Sequence, residues 1–162
     1  MAGLLLLVSA LLLTATTAQA MKLTNQNLTQ LISASESIIM GTVTSVSDGI
    51  DDNGVPYTEV TIAVGGTAKG RIDEKSDYTF RQFGLLKPRK MDNGMTFLAV
   101  SPEGFARWNE GETVVAFLYK PARVTGLQTT AGMNYGKFSL VNGRFINEQN
   151  NIGLFDQVEI DD

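Results

Sequence analysis

The sequence predicts a mainly β domain, a small barrel or sandwich with one short helix at its start. Three observations carry this reading. Residues 58–64 alternate with period two, Gly-containing turn signals separate several short strand-like runs, and helix-like spacing is confined to an early segment.

In chain order, Leu23, Leu28, Leu31 and Ile32 recur at helix-like spacing, with Thr24 or Asn25 available as N-cap, which predicts a short amphipathic helix from Asn25 to about Ser35. Ile38 to Val46 is rich in β-branched residues. Thr58, Val60, Ile62 and Val64 alternate with Tyr57, Glu59, Thr61 and Ala63, so Val60 and Ile62 share an inward face. These two runs form a long hairpin closed by the Asp-rich loop Ser47 to Val55, and Lys69-Gly70 ends the second strand. Asp77 to Phe83 reads as a third strand with Tyr78 and Phe80 on one face and Thr79 and Arg81 on the other. Gly84 to Gly94, with Lys87-Pro88-Arg89-Lys90 and Asn93-Gly94, reads as a long exposed loop. Met95 to Val100 and Thr113 to Lys120 are further strand candidates, separated by Pro102, Gly104 and the turn Asn109-Glu110-Gly111. Asn142-Gly143 supplies the two positive-φ positions of a type I′ turn, which pairs Leu140 with Phe145, Ser139 with Ile146 and Phe138 with Asn147. Phe138, Leu140 and Phe145 then form an apolar patch on one face.

The first twenty residues have a different character. Leu4 to Leu13 form an apolar run followed by the small-residue close Ala18-Gln19-Ala20, the layout of a cleavable secretory signal, although no basic residue precedes Leu4. The run is about ten residues long, against the roughly twenty that span a bilayer, so it predicts export without a membrane anchor. Residues 1–20 are therefore expected to be a signal peptide and residues 21–162 one domain, secreted or periplasmic.

Composition narrows the function classes. The chain is 43% hydrophobic and 19% charged, with 4 prolines, a balance that folds without a partner. With 17 acidic against 13 basic residues it repels phosphate backbones, so nucleic acid is not an expected partner. There is no cysteine and no histidine. Their absence removes Ser-His-Asp triads, Cys-His dyads, disulfide staples and ordinary zinc and haem ligation. Carboxylates, Lys, Tyr, Ser, Thr or an oxygen-liganded metal remain for any chemistry.

The order of Ile38-Ile39-Met40-Gly41-Thr42-Val43-Thr44-Ser45-Val46, then Thr58 to Val64, then Lys69-Gly70, resembles a poorly characterised bacterial exported module with an "IVVGxVxSV"-like strand, a "TxVTxxV" strand and an "LKG" corner. Phe105, Gly111-Glu112, Val114-Val115-Ala116-Phe117-Leu118 and Gly136-Lys137-Phe138 are similar to its "F…GE…VLFL…QGKF" end. The likeness covers about Leu28 to Phe145, and it departs after the third strand, where Phe83-Gly84-Leu85 replaces a usual Gly-Gly. That module is similar in outline to the OB-like barrel of netrin-type and metalloprotease-inhibitor domains and sometimes stands beside matrixin-like peptidase domains. The resemblance implies a small OB-like β-barrel, closed or partly open. It implies a function less firmly, because such barrels host unrelated activities.

Several residues are candidate sites. Asp48, Asp51, Asp52 and Asn53 before Gly54 suggest a calcium loop, but aligning Gly54 with the invariant loop glycine puts Gly49 and Val60 where the first Asp and the bidentate Glu belong, so a polar hairpin turn is the better reading. Lys87, Arg89 and Lys90, with Arg81 and Arg71 as possible neighbours, are candidates for an anion-binding rim, weighed against a solvated loop. Trp108, with Phe105 and Arg107, is a candidate partner anchor, weighed against a plug on the barrel end. Glu103, Glu110 and Glu112 offer carboxylates, and surface turns explain them more simply.

These readings point to an exported, non-catalytic binding or structural module acting on an extracytoplasmic protein or polysaccharide, with no cofactor. Regulation of a secreted metallopeptidase is the alternative, drawn from the resemblance. Netrin-type inhibitors present an N-terminal Cys to zinc, whereas the mature terminus expected here is Met21-Lys22, so that mechanism does not carry over. A carboxylate-dependent hydrolase is a third and weaker reading.

Overall fold

The structure, a computed structural model, describes residues 26–158, so the expected signal segment and its cleavage point lie outside the described residues. One helix, α1 (Leu28–Ala34), precedes eight strands: β1 (Ser37–Ile50), β2 (Pro56–Lys69), β3 (Asp77–Phe83), β4 (Arg89–Lys90), β5 (Thr96–Phe97), β6 (Thr113–Leu118), β7 (Lys137–Val141) and β8 (Arg144–Asn147). The fold is mainly β, as the sequence predicts. Six strands form an antiparallel sheet in the order β3-β2-β1-β6-β7-β8, and β4 and β5 form a separate small ladder.

The β1–β2 hairpin is longer than expected, because β1 runs on to Ile50 and leaves only residues 51–55 as the turn. Register shifts interrupt the ladder between Ile38 and Ile39, Met40 and Gly41, and Val43 and Ser45. Such bulges bend and twist a hairpin locally. The two strands approach closely at Gly41, where a Cβ would collide with the Ala63 carbonyl and lie 2.7 Å from Ile62 Cγ2.

The sheet carries an apolar cluster on each face, here called inner and outer. Ile39, Val43, Val60, Ile62, Val64, Phe80, Val114, Ala116 and Leu118 fill the inner face together with Ala106 and Trp108. Period two in β2 places Val60, Ile62 and Val64 inside together, as predicted. On the outer face, Ile38, Phe117 and Phe138 meet Leu31 of α1, Tyr135 of the short 3₁₀ turn Met133–Gly136, and Leu154. The helix starts later than expected. Its N-cap is Asn27, which accepts from Gln30 N at 2.9 Å while its own N–H donates to Gln30 Oε1 at 3.0 Å, a capping box; the expected caps Thr24 and Asn25 lie outside the described residues.

Among the described residues the named strands do not close into a barrel, since nothing pairs β3 with β8. The segment 127–131 lies across the gap between β6 and β3. Tyr119 N donates to Thr129 O (3.0 Å) and Ala131 N to Phe117 O (2.7 Å), while Gln128 N donates to Arg81 O (2.8 Å).

The expected long loop at Gly84 to Gly94 is partly a hairpin, since Arg89 pairs with Phe97 and Lys90 with Thr96. The strand expected over Met95 to Val100 shrinks to Thr96–Phe97, because beyond it the chain turns to bond β3's exit: Leu85 N donates to Ala99 O and Ser101 N to Leu85 O, both at 2.9 Å. The final hairpin has the predicted register, with Asn142 at φ 50° and Gly143 at φ 77°. Its apolar patch is split by depth: Phe138 is buried, Phe145 packs half-buried beside it and Leu140 is exposed.

Candidate functional site

A cleft opens in the described surface where the β4–β5 hairpin leaves the sheet. Leu85, Leu86, Lys87, Pro88, Val100 and Ser101 form one wall, and Ala106 to Asn109 the other, with Thr58 and Gln82 at the base, enclosing about 450 Å³. Three of the residues singled out in the sequence, Lys87, Arg107 and Trp108, meet here although they are far apart in the chain.

Trp108 does not stand out as an anchor. Its ring is buried, 5% exposed, and meets Phe80 edge-on at 5.3 Å between centroids. That corrects the exposed-anchor reading and makes Trp108 the plug over one end of the inner core, where burial of a large ring contributes most. Its indole N–H points to Gln82 Oε1 at 3.5 Å. Gln82 itself is fully buried at the end of the inward-facing series Tyr78, Phe80, Gln82. It donates to Ala106 O (3.1 Å) and accepts from Thr129 Oγ1 (3.3 Å), tying β3 to both overlying segments.

Both walls are pinned. Arg107 N donates to Glu148 Oε1 at 3.4 Å, and Arg107 O accepts from Lys137 Nζ. Lys137 is buried. It pairs with Glu112 Oε1 at 2.6 Å and lies over the Trp108 ring at 5.1 Å. Glu112 also accepts from Ser139 Oγ (2.9 Å) and from Asn109 N (2.6 Å), so this carboxylate is spent on architecture. Opposite, Asp48 holds the loop: Oδ2 accepts from Leu86 N at 2.8 Å, and Oδ1 pairs with Arg89. Lys87 stands between those two anchor points.

The basic rim is therefore divided. Arg89 is spent on Asp48, Lys90 is exposed on β4 and is not part of the cleft lining, and Lys87 lines it. The expected neighbours lie elsewhere. Arg81 pairs with Glu59 (2.7 Å) and covers the Tyr57 ring at 4.1 Å. The hydrogen bond to Glu59, more than any other influence, holds the Arg81 guanidinium above its ordinary pKa. Arg71 belongs to a separate depression with Glu36 and Gln128. Phe105 is half-buried and lines an adjacent cleft of about 370 Å³ with Glu103, Asn134 and Glu148, which shares Arg107 and Ser101 with the first.

The Asp-rich turn holds itself closed. Asp51 Oδ1 accepts from Asn53 N (2.9 Å) and Val55 N (2.8 Å), and Gly54 N donates to Asp51 O (2.9 Å). With Asp48 committed to Arg89, the aspartates do not converge. Glu110 accepts from Val46 N at 3.1 Å, away from Glu103.

Sequence reasoning passed over Gln82, Lys137 and the anchoring role of Asp48. Continuing the β3 alternation one step from Phe80 would have found Gln82 inside. Lys137 carried no comparable signal, because its partners come from residues 107 and 112. No family model, no curated protein and no solved structure matches this chain.

Proposed function

We propose that this chain is an exported, non-catalytic binding module that engages an extracytoplasmic partner through the cleft between the β4–β5 hairpin and the 106–109 segment. The observation that carries the reading is the convergence of Lys87, Arg107 and the Trp108 edge on one cleft with pinned walls. A binding site held by bonds behind it loses little entropy on association. The candidate carboxylates do not form a working pair. Glu112 is committed to Lys137 and Ser139, Glu110 to Val46, and Glu103 lies in the adjacent depression. Export rests on the Leu4–Leu13 run and its Ala18-Gln19-Ala20 close. The OB-like outline is supported by the bulged β1–β2 hairpin and by the bonds of residues 127–131 to Tyr119, Phe117 and Arg81.

The test is capture from periplasm and culture medium with the protein as bait, comparing wild type with a Lys87→Ala/Arg107→Ala double variant. Both side chains are exposed, so the variant keeps its thermal stability. The reading expects a partner held by the wild type and lost by the variant. Equal capture by both, or hydrolysis abolished by Glu103→Gln, would overturn it.

A further inference from the structure

We infer that the cleft takes an extended acidic peptide segment, laying one apolar side chain on Leu86 and Val100 while flanking carboxylates meet Lys87 and Arg107; this rests on the binding-module reading above.

Charge is the first argument. Lys87 and Arg107 stand on opposite walls of a cleft whose lining contains no carboxylate. The ion pairs among the described residues are Arg81–Glu59, Arg89–Asp48 and Lys137–Glu112, so neither cation is neutralised at home. The whole chain carries a net charge of −4, which makes two cations outside any ion pair in one cleft lining a local reversal of its field. Such a pair favours a ligand with negative charge on both sides of its point of entry.

The base of the cleft decides what enters between them. Its polar groups are already satisfied: Thr58 Oγ1 donates to Gly84 O at 2.7 Å, and the Gln82 amide is bonded at both ends. Leu85, Ala106 and Trp108 are buried, so the apolar surface that remains to offer a ligand is exposed Leu86 and Val100 at the lip. An apolar side chain gains by covering that surface, at about 25 cal/mol for each Å² removed from water. A sugar ring fares worse. Its hydroxyls would meet a base with no free partner, and Trp108 is too deeply buried to present a ring face for stacking.

The adjacent depression excludes a continuous polyanion. Beyond Arg107 it is lined by the carboxylates of Glu103 and Glu148. A polyuronate, charged at every residue, would run its next carboxylates against these oxygens. A peptide with a short acidic stretch need not.

The experiment titrates the ¹⁵N-labelled protein with the capped pentapeptide Gly-Asp-Leu-Glu-Gly and, separately, with an oligogalacturonate. Trp108 is the one tryptophan in the chain, so its indole N–H is a single reporter at the base of the cleft. The expected result is saturable shifts of that signal and of the amides at residues 85–87 and 106–109. Binding should weaken about tenfold in a Lys87→Glu/Arg107→Glu variant and severalfold in high salt, as two solvent-exposed charge pairs imply. Replacing the peptide's Leu by Ser should weaken binding severalfold and shrink the amide shifts at residues 85–87. Oligogalacturonate binding at these residues without peptide binding would overturn the peptide assignment and leave the binding-module reading standing. Peptide shifts confined to other residues, or undiminished in the charge-reversal variant, would overturn the assignment of this cleft. Failure of the capture test with the alanine variant would sink the module reading itself.

Discussion

Lys137 and Gln82 show how single residues set the site from behind. A buried ammonium is costly unless paired, and Lys137 is held by Glu112, by the Arg107 carbonyl and by the face of Trp108. The same three contacts fix the segment that carries Arg107, so the cleft wall is rigid because the charge behind it must be satisfied. Trp108 closes this arrangement from above. Its truncation to Ala removes the contact with Phe80 and the cover over Lys137, leaving a cavity and a charge without its aromatic neighbour. We expect Trp108→Ala to cost about 3–5 kcal/mol in urea unfolding, the range for truncating a buried large aromatic. A loss below about 1 kcal/mol would mean the ring is dispensable to the core. Lys87 and Arg107 carry no such burden, which separates the residues that build the cleft from those that face a ligand.

At the scale of elements, turn chemistry fixes strand register wherever the turn is local. Asn142-Gly143 illustrates it: both residues adopt positive φ, and the pairing from Phe138–Asn147 to Val141–Arg144 follows. Gly143 has open space around it, so a methyl there meets no neighbour and only the backbone conformation is penalised. Gly143→Ala should therefore destabilise the domain by about 1–2 kcal/mol, with amide exchange accelerated first in β8. Unchanged exchange over residues 144–147 would show that the hairpin does not depend on its turn. The elements legible in the sequence were those of this local kind. β2 showed its alternation, β3 its boundaries, and the Asp-rich loop read over Ser47 to Val55 its turn residues, though the turn itself spans only residues 51–55. The β4–β5 ladder, two residues on each side, is too short for a period to register. Residues 127–131 find their partners on β6 and β3, far away in sequence, and no local pattern announces that. For the site, Lys87, Arg107 and Trp108 could be picked out by type, but their convergence depends on Asp48, Glu148 and Lys137 acting across the fold.

At the scale of the molecule, export and folding are separate questions. If Leu4–Leu13 and Ala18-Gln19-Ala20 act as read, the secreted protein begins at Met21, and its intact mass will lack residues 1–20; a membrane-retained species still starting at Met1 contradicts this. The folding question turns on how the two apolar clusters are joined. They share strands: on β1, Ile38 faces the outer cluster and Ile39 the inner, and on β6, Val115 and Phe117 face out while Val114, Ala116 and Leu118 face in. Neither cluster can come apart without stripping the opposite side of the same two central strands, which leaves the other cluster with half its walls. The chain should then unfold as one cooperative unit despite having two cores. The fluorescence of Trp108 reports the inner cluster alone, far-UV circular dichroism reports the whole sheet, and the amide NMR signals of Leu31 and Tyr135 report the outer cluster. The three urea midpoints are expected to coincide. A Trp108 transition displaced from the dichroism transition would mean that the inner core and its plug melt as a separate unit, and that the sheet does not transmit stability between its faces.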